Sequence, residues 1–116
     1  MEDRVDLALA VRELDIFGVP LNFLNAIEGT PLAGAEQVSP MEALQTIAMF
    51  RFALPEAEIR VAGGRESCLR DLQSWMFFAG ASACMVGNYL TTKGRNSEDD
   101  FRMLSDLEEG VRGYVR

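Results

Sequence analysis

The sequence contains no histidine, which removes the commonest general base and the commonest nitrogen ligand for metals. It has two cysteines, Cys68 and Cys84. They form no CxxC or similar pair, so no complete metal site is visible. Hydrolase chemistry built on a nucleophilic serine or cysteine is not supported by these residues. Two buried thiols acting as small apolar side chains is the simplest reading. Basic runs are also missing. Lys and Arg number 11 against 18 Asp and Glu, a net charge of −7, which argues against nucleic acid, whose binding depends on neutralising phosphates. No apolar run approaches the roughly 20 residues of a membrane span. The opening Met1-Glu2-Asp3-Arg4-Val5-Asp6 is too acidic for a secretory signal or transit peptide. These absences describe a cytoplasmic protein without nucleic-acid or membrane partners. A phosphate-cradling GxxxxGKS loop is absent as well.

What is present fits one globular domain: 116 residues, 48% hydrophobic and 25% charged. The organising stretch is Ala57 to Glu66, a short strand centred on Arg60, then Gly63-Gly64 and a helix start. An arginine in a buried strand is costly unless an anion or a metal meets it; the alternative is an arginine that snorkels to solvent. Paired glycines after a strand let the backbone approach a ligand closely. Upstream, the spacing predicts a helix over 2–15 with Leu7, Ala10, Val11 and Leu14 on one face, and Gly18 as its stop. Residues 19–24 read as a strand that projects Asn22 from otherwise apolar neighbours. Its amide needs partners, either a ligand or a neighbouring backbone group. A loop over 25–38 contains Gly29-Thr30-Pro31 and Gly34. Ser39-Pro40-Met41-Glu42 starts a helix with a capping box, and Leu44, Ile47, Ala48 and Phe52 form its apolar side. One helix across Leu69, Leu72, Trp75, Met76 and Ala79 follows, with Trp75, Phe77 and Phe78 as packing residues. Then come a small-residue strand over 81–86, a polar loop with Thr91 and Thr92, and a helix capped at Ser97 that carries Phe101, Leu104 and Leu107.

The order α, β, α, β, α, β, α, with no Asn-Gly hairpin signal, predicts parallel strands joined by crossovers. The strand-end loops then share one rim, where Asn22, the Gly29-Thr30 loop, Arg60 with Gly63-Gly64, and Thr91-Thr92 surround one volume. Such donors suit an anionic or carbonyl-rich small molecule. Three parallel strands leave two open edges, which invites pairing with another chain.

Five blocks, in order, resemble the biotin synthase family: Val19-Pro20-Leu21-Asn22-Phe23-Leu24; Gly29-Thr30-Pro31-Leu32; Ile59 to Glu66; Ala79-Gly80-Ala81-Ser82; and Val86 to Gly94. The likeness reaches about Leu107. It implies a radical S-adenosylmethionine enzyme on a TIM barrel that inserts sulfur into dethiobiotin to make biotin. This chain is similar to its carboxyl-terminal part, about three parallel βα units of a (β/α)8 barrel including the biotin and thiamin synthesis associated segment. The implied layout is a partial barrel over 1–109 and a disordered tail over 110–116. The resemblance further implies Arg60 as a ligand of the 2Fe–2S cluster, Asn22 as a substrate contact, and Thr91 and Thr92 as holders of the substrate carboxylate. The family's CxxxCxxC, which binds the 4Fe–4S cluster, is absent, as are the three cysteines of the 2Fe–2S cluster. The chain alone is therefore expected to bind neither cluster nor S-adenosylmethionine, and to need an amino-terminal barrel half or a second copy. A non-catalytic module that pairs through an open sheet edge is the alternative.

Overall fold

A computed structural model describes residues 1–89 and 93–110. The chain divides into two compact units, 1–85 and 86–116. The first contains α1 (Glu2–Arg12), β1 (Gly18–Leu21), α2 (Pro40–Ala53), β2 (Glu58–Val61), α3 (Arg65–Leu69), a 3-10 turn (Arg70–Leu72), α4 (Trp75–Ala79) and β3 (Ala83–Cys84). The second contains α5 (Ser97–Gly110). Thr91, Thr92 and the tail residues 111–116 lie outside the described residues.

The strands form one parallel sheet in the order β1-β2-β3, as the alternating pattern predicts, so the fold class is α/β. Gly18 pairs with Glu58, Pro20 with Arg60, and Arg60 with Ala83. The ladder is shorter than the predicted strands at 19–24 and 81–86. Beyond it, the Phe23 amide donates to the Gly63 carbonyl at 2.8 Å. Pro20 sits on an edge strand. The carbonyls of Phe17 and Leu21 accept from the Glu58 and Ala62 amides, which turns these odd-numbered positions toward β2, so the N–H that proline lacks would have pointed outward, where this sheet loses no ladder bond.

Helix α2 begins as its sequence dictates. Ser39 has extended backbone angles and accepts from the Glu42 amide at 3.2 Å, with proline in the first turn. The second half of the predicted capping box does not form, because the Glu42 carboxylate pairs with Arg4 Nη1 at 2.8 Å instead. Ser39→Ala should lower stability by about 1 kcal/mol, read as a lower urea midpoint with an unchanged slope. The buried stripe of α2 is Ala43, Leu44, Ile47 and Phe50, and Leu54 follows just beyond the helix. Phe52, predicted to face the core, is exposed, because the 43/47/50/54 row meets the sheet.

Further expectations are corrected. Helix α1 buries only Ala8, whereas Leu7 and Leu14 are exposed. Its inner row is 4/8/11, since Arg4 turns inward to Glu42 and to Thr46 Oγ1 at 3.1 Å. The chain turns at Asp15 (φ 50°), a residue type that tolerates the left-handed region, and Gly18 opens β1 rather than closing α1. The single helix expected across 69–79 is broken, because Arg70 adopts φ 51° and Gln73 turns inward, its Nε2 donating to the Arg70 carbonyl at 2.9 Å. Met76 is consequently buried, while Trp75 and Phe78 are exposed. In the second unit Asn96, not Ser97, caps α5: its Oδ1 accepts from the Glu98 amide at 3.0 Å. Phe101 is exposed and Met103 buried. Among the described residues, no helix is long and apolar enough to cross a membrane.

Candidate functional site

Alternation along the strands sorts the residues onto two faces. Val19, Leu21, Ile59 and Val61 are buried on one, against the helices. Gly18, Pro20, Glu58 and Arg60 occupy the other, and Asn22 continues their row beyond β1. Asn22 and Arg60, the two predicted site residues within the described part, therefore share one face. Arg60 is central in the sheet, and of the two readings open to it the structure shows the solvent-facing one: its side chain keeps 51% exposure and pairs with Glu58, two residues back on the same strand. A shallow groove of about 300 Å³ lies here, lined by Phe17, Gly18, Val19, Pro20, Glu58 and Arg60.

At the carboxyl end of this face the backbone is tightly drawn together. Asn22 Oδ1 accepts from the Gly63 amide at 2.8 Å. Of the two partners open to this amide, the backbone one is thus present on its oxygen. The opposite, nitrogen end carries the two N–H donors, and the residue is exposed. A Cβ at Gly63 would stand 2.9 Å from Asn22 Oδ1, and one at Gly64 (φ +76°) only 2.0 Å from the Phe23 carbonyl oxygen. The Gly-Gly step is required by this approach of two strand ends. In the second unit, Gly94 donates to Asn88 Oδ1 at 3.1 Å, and a Cβ on it would meet the Gly87 carbonyl oxygen at 1.8 Å. These contacts bring together the two ends of the segment that contains Thr91 and Thr92.

Two arginines escaped the sequence reading. Arg65 is fully buried. Its Nη1 donates to Gln73 Oε1 at 2.8 Å and its Nη2 to the Met85 carbonyl at 2.9 Å, which ties the broken helix to the end of β3. A cation in a helix first turn opposes the dipole, and that was the available signal. Arg51 donates from Nε to the Gly80 carbonyl, from Nη1 to those of Leu54, Pro55 and Ala57, and from Nη2 to Ser82 Oγ. In the last turn of α2 a cation is ordinary, so nothing local marks it.

The chain's own donors do not fit an iron–sulfur cluster by themselves. Cys68 is buried, with its Sγ 3.4 Å from the Val38 carbonyl. Burial, assisted by Glu42, pushes its thiol pKa up, away from the thiolate that binds metal. Cys84 is in register with buried Val61, on the face opposite Arg60. Among the described residues, no group of three or more His, Cys, Asp or Glu side chains is placed to hold a metal ion.

Comparison with known proteins follows the same residues. The chain is 63% identical over 111 residues to the biotin synthase of Geobacter sulfurreducens, covering 96% of this chain and 34% of that protein. It is 64% identical over 110 residues to the biotin synthase of Geobacter metallireducens, covering 95% and 33%, and 55% identical over 107 residues to that of Heliobacterium modesticaldum, covering 92% and 33%. It thus spans about a third of the length of these relatives, the carboxyl-terminal part. Residues 20–109 match the Biotin and Thiamin Synthesis associated domain, the family to which this chain belongs.

Proposed function

We propose that the chain is the carboxyl-terminal wall of a biotin synthase barrel, the enzyme that converts dethiobiotin to biotin by radical sulfur insertion. One observation carries this reading beyond the sequence likeness. Parallel sheets are as a rule covered on both faces. Within the first unit helices cover the Val19, Leu21, Ile59 and Val61 face, while the described residues Pro20, Asn22 and Arg60 of the other face are exposed and Glu58 is half-buried. In a (β/α)8 barrel the helices ring the outside, the other face of the sheet is turned inward, and ligand contacts come from the carboxyl ends of the strands, where Asn22 and the Gly63-Gly64 step stand. Leu14, Ile16 and Phe17, exposed between α1 and β1, suit cover by a preceding βα unit.

In this reading residues 1–109 are one partial barrel and 110–116 a tail, and the assembled enzyme works in the cytoplasm. Asn22 binds the substrate, Thr91 and Thr92 hold its carboxylate, and Arg60 is directed at the 2Fe–2S cluster. The thiolates for that cluster, the CxxxCxxC for the 4Fe–4S cluster and most of the S-adenosylmethionine site belong to the upstream barrel segment. When bound, these groups supply the radical chemistry and the sulfur. The residues of this chain orient the substrate and close one side of the cavity.

Co-expression with that upstream segment, followed by anaerobic reconstitution and a dethiobiotin assay, tests the proposal. Biotin should form from the assembled pair and not from this chain alone. An assembled, iron-loaded pair that makes no biotin would overturn the catalytic reading and favour a module that associates through its sheet edge.

A further inference from the structure

We infer that Glu58 is the positioning residue for Arg60. It draws the guanidinium toward the amino-terminal end of the open sheet face and so separates it from the Asn22 amide at the carboxyl-terminal end. The two residues stand two apart on β2, on the same face, and Arg60 Nη2 donates to Glu58 Oε1. The arginine therefore reaches back along its strand. Asn22 lies one dipeptide step beyond Pro20, the register partner of Arg60. That step is about 6.6 Å at the rise of a parallel strand. Its amide is turned the other way along the strands, held by the Gly63 amide. The backbone separation and the opposite reach of the two side chains add.

Neighbouring residues leave this arrangement room. Glu58 is paired with Gly18, whose missing side chain leaves ordinary contact distance: a Cβ built there would stand 3.5 Å from Glu58 Cβ. Arg60 is flanked by Pro20 and Ala83, neither of which has a polar side chain to compete for the guanidinium. The face is thus divided into two levels. At the carboxyl rim a neutral amide presents N–H donors. Deeper toward the amino-terminal end lies a guanidinium held by a carboxylate, beside the groove lined by Phe17, Gly18 and Val19. A group of a few atoms contacts one level or the other, not both. Resting on the biotin synthase reading, Glu58 thus sets the direction in which the Arg60 guanidinium reaches along this face.

The test uses the 116-residue chain without cluster or substrate, so its failure and the failure of the enzymatic reading are separable. Phenylglyoxal modification of individual arginines is followed by mass spectrometry in the wild type, Glu58→Gln and Glu58→Asp. An ion-paired guanidinium reacts more slowly than a free one. Because Arg60 and Glu58 keep 51% and 30% side-chain exposure, the pair is a partly exposed one of modest strength, and Glu58→Gln should speed modification of Arg60 about two- to fivefold. Glu58→Asp, which withdraws the carboxylate without removing its charge, should also speed it. Arg102, exposed in the other unit, should not change. In 1 M salt, where screening acts over about 3 Å, the wild-type rate should approach that of Glu58→Gln. An Arg60 rate unchanged by Glu58→Gln would overturn the inference, as would Arg60 and Arg102 rising together, which would mark a loosened fold rather than a released side chain.

Discussion

Gly64→Ala is expected to be the most damaging single-methyl change in the first unit. Two costs coincide there. The residue has φ +76°, which costs an L side chain about 1–2 kcal/mol. The new Cβ would also stand 2.0 Å from the Phe23 carbonyl oxygen and 2.9 Å from its carbon. Neither of these is the end of a flexible side chain, so the end of β1 must move. Together the two effects should exceed about 3 kcal/mol, a large part of the roughly 5–15 kcal/mol that holds a domain folded. Urea denaturation measures the loss, and Gly29→Ala separates its causes. Gly29 also has positive φ (+84°), but nothing lies within 4 Å of its added Cβ. It should show the backbone cost alone. Gly64→Asn, which tolerates positive φ but still carries a Cβ, should be nearly as harmful as Gly64→Ala. Equal midpoints for the Gly29 and Gly64 alanine variants would refute the steric argument.

Arg51→Met should rank second. The guanidinium joins the end of α2, the approach to β2 and the turn before β3. Its bonds to the carbonyls of Gly80, Leu54, Pro55 and Ala57 measure 2.9, 3.0, 3.0 and 2.8 Å, and that to Ser82 Oγ 2.8 Å. Ser82 Oγ in turn accepts from the Ile59 amide at 3.4 Å. Bonds to a charged donor are worth about 1.5–3 kcal/mol each when isolated. These share one side chain and several are partly exposed, so the total falls well below their sum. A loss of about 3 kcal/mol is expected, measured by urea or thermal unfolding. Arg51→Lys keeps the charge without the planar fork and should recover less than half of it. Full recovery by lysine would mean that charge, not geometry, is what the three segments require.

Much of the fold is legible in local pattern. The alternation of helical and strand periodicities predicts the parallel sheet. Ser39-Pro40 marks the start of α2, because a cap is a matter of neighbouring backbone groups. Gly63-Gly64 marks the tight approach after β2, because only glycine accepts that backbone geometry beside another chain segment. The resemblance blocks lead to the same domain that the family comparison identifies. Burial was less legible. Leu7, Leu14 and Phe52 look like core residues by spacing yet are exposed, and Arg4, outside the predicted apolar face, turns inward. Helical spacing identifies residues that share a face, not the face that another element will cover. The break at Arg70 was also hidden, since it depends on the inward turn of Gln73 toward Arg65, eight residues away.

By itself the sequence determined the alternation of helix and strand, the Ser39 cap, the glycine step and the family, because each rests on short-range geometry or on residues kept in register with relatives. Only the tertiary structure decided which arginine is buried. Arg60, for which burial and exposure were both open, lies on an open face beside Glu58, whereas Arg65 is enclosed between Gln73 and the Met85 carbonyl. The physical reason is that the cost of burying a charge is set by what crosses over it, and those groups arrive from distant parts of the chain.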